Sequence, residues 1–127
     1  MILVIGGAYQ GKEEFVMQML RIAADEIADG AVFPAADDLS QYRAVSNYHL
    51  RIRKQIEAGQ DPEAELSCVI RERPKICIIS DEIGSGLIPM EKADRDYREM
   101  VGRTLCKAAQ EADEVWRIVC GIGQRIK

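Results

Sequence analysis

The sequence has no surplus of basic residues, no long apolar run and no recognisable leader segment. Lysine and arginine together number 17 against 21 acidic residues, and this balance argues against a protein that wraps nucleic acid or coats an anionic membrane. No stretch approaches the roughly 18 apolar residues of a membrane span. The run Met1–Ile5 is too short for a signal sequence. We therefore expect a soluble, cytoplasmic protein.

Histidine is nearly absent, and the cysteines form no Cys-x-x-Cys pair. The one histidine is His49, and the four thiols are scattered through apolar segments, so neither a structural zinc site nor a disulfide framework is expected. With 47% hydrophobic residues in 127, the chain can bury a core without such staples. We predict one domain, residues 1–127.

Apolar residues alternate between strand-like runs and helical spacing. The first half predicts a buried strand Met1–Ile5, a helix 12–28, a short strand 31–33, and a helix that starts near Asp37, Asp38 or Ser40 and ends before Gly59. The second half predicts a helix from Asp61 to before Pro74, a strand 76–79, a loop 84–89, a helix 91–112 and a strand 115–120. Strands that alternate with helices favour an α/β fold with a mostly parallel sheet flanked by helices.

The turn after the first strand matches the G-x-x-x-x-G-K pattern of a phosphate-binding P-loop. Its glycines let backbone N–H groups surround a phosphate, and the following helix N-terminus and Lys12 add positive charge. The pattern predicts a P-loop (RecA-like) domain that binds ATP or GTP. An ordinary glycine-rich turn with an exposed lysine is the alternative. The candidate nucleotide-binding residues are Gly6, Gly7, Ala8, Tyr9, Gln10, Gly11, Lys12 and Glu13.

Acidic residues stand at two positions that concern Mg²⁺. Glu13 replaces the Ser or Thr whose hydroxyl normally binds the metal, so it would reposition Mg²⁺, repel phosphates, or turn outward. Asp81 and Glu82 follow the strand 76–79, at the sheet edge where P-loop proteins keep the acid that fixes Mg²⁺. Asp81 and Glu82 are our candidate metal ligands. Lys12 and Glu82 are also candidate catalytic residues. Ordinary surface acids are the alternative.

His49 is a candidate nucleophile because a largely neutral imidazole can accept a phosphoryl or nucleotidyl group. However, Tyr42, Val45, Ile52 and Ile56 lie three or four residues from it or from one another. This spacing also fits a histidine that simply lies on a helix beside the core. The sequence leaves both interpretations open.

Two segments in the last third carry a family resemblance. The chain reads Ser-Asp-Glu-Ile-Gly-Ser-Gly-Leu-Ile-Pro over 80–89 and Ala-Asp-Glu-Val-Trp over 112–116. These segments, with the opening residues 2–8, resemble the adenosylcobinamide kinase/adenosylcobinamide-phosphate guanylyltransferase family of cobalamin biosynthesis. The resemblance covers about the first 20 and the last 48 residues and is weaker between them.

The resemblance implies a P-loop enzyme, commonly a homo-oligomeric trimer, with two reactions. ATP or GTP would phosphorylate adenosylcobinamide, and GTP would then guanylylate the product through a histidine, for which His49 is the only counterpart. Glu82 would lie by the metal or the substrate. Nucleotides and corrinoids, and not nucleic acids, are the implied partners.

Several departures from the family concern its chemistry. The chain is roughly 50 residues shorter than typical members, Asp81 replaces an asparagine, and the strand that carries the family's metal-binding acid has no evident counterpart. Two main hypotheses follow: a family enzyme that retains nucleotide binding, with its kinase step at least, or a nucleotide-binding relative with weakened catalysis that acts through assembly or regulation. A structural domain with an empty P-loop is the third.

Overall fold

The computed structural model describes residues 1–32, 36–83 and 91–127, which form one six-stranded sheet with helices on both faces. The strands are β1 (Ile2–Gly6), β2 (Ile27–Asp29), β3 (Ala44–Ser46), β4 (Cys77–Asp81), β5 (Glu114–Val119) and β6 (Ile122–Arg125). The α-helices are α1 (Lys12–Leu20), α2 (Tyr48–Glu57), α3 (Pro62–Glu72) and α4 (Lys92–Glu111). Two short 3₁₀ helices span Ala24–Glu26 and Ala36–Gln41.

The sheet order places β1 near the centre and the loop that follows it at the carboxyl edge. The order is β2-β3-β4-β1-β5-β6, and every pairing is parallel except that of β5 with β6. Gly6 at the end of β1 is paired in register with Asp81 at the end of β4. The predicted α/β fold with a mostly parallel sheet is confirmed, and it is consistent with a P-loop fold.

Successive residues of the central strands feed two cores, because side chains along a strand alternate between faces. Leu3 and Ile78 join the cluster under α2, α3 and α4, while Val4 and Ile79 join the cluster on the α1 face. All four are at most 2% exposed. The sheet is therefore buried on both faces, which explains the continuous apolar runs of β1 and β4.

The predicted helix 12–28 is wrong beyond residue 20. α1 ends because Arg21 adopts the left-handed conformation, at φ 54°, and the N–H groups of Arg21 and Ile22 both donate to Met17 O. Ile27, which continued the helical spacing, lies instead in β2 and pairs with β3.

The predicted strand 31–33 and the long second helix are also wrong. The second strand of the sheet is β2, at Ile27–Asp29, so residues 31 and 32 follow it in a turn, and residue 33 lies outside the described residues. The span predicted as one helix contains a 3₁₀ helix and β3 before α2 begins. Asn47, rather than Asp37, Asp38 or Ser40, is the N-cap of α2. Gly59, at φ +72°, follows the capping residue Ala58 at the helix end.

The other predicted elements agree with the structure to within two residues. They correspond to β1, α3, β4, α4 and β5, and the Asp61 side chain caps α3 by accepting the backbone N–H of Glu63. The sequence did not predict β6, which returns after a turn in which Cys120 and Gly121 both have positive φ. The predicted loop 84–89 lies outside the described residues.

Candidate functional site

The loop between β1 and α1 is shaped by glycines at both of its ends. At Gly6 a Cβ would lie 2.6 Å from the carbonyl oxygen of Ile118, so β1 approaches β5 too closely for any side chain there. Gly11 has φ +82° and is the N-cap of α1, with no side chain capping the helix. The first N–H groups of α1 therefore face the loop without a side-chain acceptor at the cap position.

Lys12 and Asp81 meet beneath this loop. The Lys12 ammonium lies 2.6 Å from Asp81 Oδ1 and donates to the carbonyl oxygen of Gly7, also at 2.6 Å. Lys12 is 9% exposed, whereas the Asp81 side chain is 26% exposed. The structure thus brings together the lysine and the strand-end acid that the sequence singled out.

His49 adjoins the same acid from the first turn of α2. Its Nδ1 accepts the backbone N–H of Asp81 at 3.1 Å, and its Nε2 lies 3.5 Å from Asp81 Oδ2. Burial is the main cause that lowers the pKa of His49 below the ordinary 6.5; Asp81 opposes the shift and Lys12 adds to it. The ring is therefore neutral at pH 7.

A cavity of about 790 Å³ opens over the loop and this cluster. Its size falls within the range of small-molecule sites in proteins. Among its lining residues are Ala8, Tyr9, Gln10, Gly11, Lys12 and Glu13 of the predicted set, together with His49 and Asp81. Tyr9 is fully exposed at its rim with φ 59°.

The remaining predicted residues lie apart from the cavity wall. Gly6 allows β1 to lie close to β5, and the carbonyl oxygen of Gly7 accepts a hydrogen bond from Lys12. The Glu82 carboxylate pairs with Arg117 Nε at 3.1 Å, on β5. Glu82 is thus held toward Arg117, and Asp81 alone of the two acids lines the cavity.

The turn between β5 and β6 braces the loop, and sequence reasoning missed it. The Gln10 side-chain oxygen accepts the N–H of Cys120 at 2.6 Å, and the Gln10 carbonyl accepts the N–H of Gly121 at 2.8 Å. Gly121 also lines the cavity. Gly121 and Gly123 after an apolar strand were the available signal for a hairpin.

Asn47 is a second lining residue that the sequence did not reveal. It adopts φ 52°, and its side-chain amide donates to Asp29 Oδ1 at 3.0 Å, which ties the start of α2 to the end of β2. An asparagine directly before a helix is a typical cap signal, but the predicted helix already ran through this position.

In the part of the chain that the structure describes, no helix combines the length and the apolar character needed to cross a lipid bilayer.

Comparison with known proteins identifies the family. The model of the family described as cobinamide kinase / cobinamide phosphate guanyltransferase matches residues 37–126. This range contains His49, Asp81 and Glu82 but not the glycine-rich loop.

Two curated relatives are similar over part of their length, and both carry the description "Bifunctional adenosylcobalamin biosynthesis protein CobU". The protein of Salmonella typhimurium is 34% identical over 74 residues, which are 57% of this chain and 41% of the relative. The protein of Escherichia coli K12 is 38% identical over 53 residues, 42% of this chain and 29% of the relative. The chain therefore matches less than half the length of either relative. Since the family model covers most of the chain, the chain belongs to the cobinamide kinase / cobinamide phosphate guanyltransferase family.

Proposed function

We propose that the chain binds ATP or GTP with the phosphates over the glycine-rich loop, residues 6–12, and transfers the terminal phosphate to adenosylcobinamide in cobalamin biosynthesis. The observation that carries this proposal is the burial of Lys12 beside Asp81 in the lining of the cavity. A buried cation beneath a helix N-terminus is a suitable site for a polyphosphate. The family and its relatives supply the reaction class.

The loop offers a phosphate both backbone donors and charge. Gly11 leaves the N-terminus of α1 uncapped by a side chain, so its N–H groups can donate to phosphate oxygens. Lys12 would exchange Asp81 for a terminal phosphate oxygen. In the reaction, the acceptor hydroxyl oxygen bonds to the γ-phosphorus, the bond from that phosphorus to the bridging oxygen breaks to release the nucleoside diphosphate, and the hydroxyl proton passes to water.

Asp81 fits a Mg²⁺ ion that accompanies the nucleotide. Among the described residues no three His, Cys, Asp or Glu side chains form a metal cage. Mg²⁺ does not need one, because it is commonly held by one or two carboxylates with water and substrate phosphates. The ion would neutralise phosphate charge, with Asp81 as its protein ligand. Glu82 would join it, or act in catalysis, only after leaving Arg117.

Family membership is the support for a proposal about the acceptor, the assembly and the compartment. We propose a corrinoid acceptor, a homo-oligomer such as a trimer, and a cytoplasmic location, with no nucleic-acid partner. Guanylyl transfer through His49, the second family reaction, needs a free ring nitrogen and is not included in the proposed function.

A second candidate function is a relative that binds nucleotide, has weakened catalysis, and acts through assembly or regulation. One observation favours it: Glu13 lines the cavity at the position where a hydroxyl is usual, and its carboxylate would repel a phosphate. This candidate predicts nucleotide binding without formation of a phosphorylated corrinoid.

Calorimetric titration with non-hydrolysable ATP and GTP analogues, with and without Mg²⁺, tests the proposal. We expect micromolar binding that requires Mg²⁺ and that weakens at least tenfold in Lys12→Ala, since a charge-assisted hydrogen bond to phosphate is lost. Lys54→Ala removes the same charge from an exposed position on α2 and serves as the control. Absence of binding in the unmodified chain would contradict both candidate functions.

Chromatographic detection of phosphorylated adenosylcobinamide separates the two candidates. Formation of that product with ATP or GTP, and its loss in Lys12→Ala, would support the transferase. Tight nucleotide binding with no product would favour the relative with weakened catalysis.

A further inference from the structure

The contact between His49 and Asp81 fills a gap in the sheet. Along β4 the backbone N–H groups alternate between neighbouring strands: Cys77 N–H donates to Arg43 O next to β3, and Glu82 N–H donates to Gly6 O on β1. Asp81 therefore directs its N–H toward the β3 side.

β3 has already ended at that level of the sheet. Its pairing with β4 stops at Val45 and Ile78, and the chain turns into α2 at Asn47. The N–H of Asp81 would be left without a strand partner, and His49 Nδ1 supplies the acceptor at 3.1 Å. A ring nitrogen thus replaces the carbonyl that a longer β3 would provide.

This hydrogen bond also determines which ring nitrogen is available for chemistry. A neutral imidazole has one bare nitrogen and one N–H group, and only the bare nitrogen can accept a hydrogen bond or attack a phosphorus atom. Nδ1 is the bare nitrogen and is already an acceptor, so Nε2 carries the hydrogen and faces Asp81 Oδ2 at 3.5 Å. His49 as a whole is only 7% exposed.

The backbone at His49 is held from a third element. The Tyr97 hydroxyl on α4 donates to the His49 carbonyl oxygen at 3.1 Å. Asp81 is consequently held at two points, its N–H by His49 and its Oδ1 by Lys12.

We infer that His49 is a positioning residue, which fixes the backbone of Asp81 at the phosphate site, and is not a nucleophile that receives a nucleotidyl group. This role rests on the proposed nucleotide site, where Asp81 would be the protein ligand of Mg²⁺. It assigns His49 to the organisation of phosphoryl transfer and predicts that no covalent guanylyl intermediate forms on this chain.

Two substitutions at His49 separate positioning from nucleophilic attack. In His49→Asn the amide oxygen can still accept the Asp81 N–H, but the side chain cannot form a phosphoramidate. In His49→Ala both capacities are lost. We expect the Asn variant to keep the Mg²⁺-nucleotide affinity within about twofold and the Ala variant to lose about fivefold, the typical effect of one neutral hydrogen bond.

Amide hydrogen exchange of Asp81, followed by NMR, reads the contact without any nucleotide. Protection of this N–H should persist in His49→Asn and fall in His49→Ala. If the unmodified chain binds no nucleotide, the proposed function fails, whereas this exchange measurement still decides whether His49 holds Asp81. An Asn variant as unprotected as the Ala variant would overturn the positioning role.

Incubation with Mg²⁺ and GTP labelled at its α-phosphate tests the alternative directly. We expect no label on the denatured, washed protein. An acid-labile, alkali-stable label on the unmodified chain that disappears in both His49 variants would identify His49 as a guanylyl acceptor and overturn the inference.

Discussion

At the scale of single residues, Glu13 sets two requirements against each other. Its carboxylate lies in the first turn of α1, where the positive end of the helix dipole stabilises negative charge. The same carboxylate lines the cavity that would hold phosphates, and like charges repel there. Glu13 therefore stabilises the helix but would weaken the binding of a phosphate in the cavity.

The replacement Glu13→Ser should strengthen Mg²⁺-nucleotide binding about fivefold, because it removes a repulsion of about 1 kcal/mol and supplies a hydroxyl for the metal. Thermal unfolding without nucleotide should show a loss of up to about 1 kcal/mol from the helix N-terminus. Glu14→Ser is the charge-matched control, since Glu14 is the next residue, also lines the cavity and does not stand at the hydroxyl position of the pattern. Equal gains in both variants would show a general charge effect and contradict a specific role of the hydroxyl.

At the scale of elements, the glycine-rich loop is not supported by β1 and α1 alone. Gln10 receives hydrogen bonds from two successive N–H groups of the β5–β6 turn, one on its side chain and one on its carbonyl. A Cβ at Gly11 would lie 3.3 Å from Gly121 Cα, so the two turns are in close backbone contact. The hairpin thus holds the loop in the shape that a phosphate would meet.

Gln10→Ala should loosen this brace. The variant loses one hydrogen bond, which stabilises the loop conformation by about 1 kcal/mol. Nucleotide binding should therefore weaken about fivefold, and amide exchange at Cys120 should become faster. Gln60→Ala, at an exposed site distant in sequence, is the matched control for side-chain loss. Faster exchange with unchanged nucleotide affinity would show that the hairpin does not shape the binding loop.

The length of an element decided whether the sequence could predict it. α3 and α4 span 11 and 20 residues, which is long enough to show apolar periodicity, and α3 has a side-chain cap, so their bounds were predictable. β2 and β3 have three residues each, too few to show a period, and their apolar residues continued the helical spacing around them. The stop at Arg21 depends on a left-handed arginine, which no residue preference signals.

Some contacts of the candidate site could also be predicted from the sequence, and others could not. Lys12 and Asp81 were predictable because one follows the glycine pattern and the other ends a buried strand beside it. The contact of His49 with Asp81 was not, since it depends on β3 ending early and on α2 beginning at Tyr48. Errors in short elements therefore become errors in the site.

At the scale of the whole molecule, the site depends on the sheet as a unit. β1 lies between β4 and β5, so the loop, Asp81 and the hairpin turn meet at one carboxyl edge. A ligand bound there contacts parts of the chain that are far apart in sequence. Its binding energy should therefore add to the stability of the entire fold, because the unfolded chain has no such site.

Cys77 offers a probe of this coupling from the centre of the sheet. Its side chain is fully buried in β4, and burial raises the pKa of its thiol to about 12. Alkylation requires an exposed thiolate, so Cys77 should react only when the sheet opens. Cys106 is exposed on α4 and should react in the native state.

When reclosing is faster than alkylation, the labelling rate of Cys77 follows the population of the open form. A Mg²⁺-nucleotide at about 100 times its Kd should then slow this rate about 100-fold, the value expected for binding to the native state alone. Peptide mass spectrometry can measure both thiols in one sample, and Cys106 should keep its rate. The contradicting outcome is nucleotide binding by calorimetry with no change in the labelling rate of Cys77. It would show that the sheet opens around Cys77 without loss of the bound nucleotide, so that the site is not coupled to the stability of the fold.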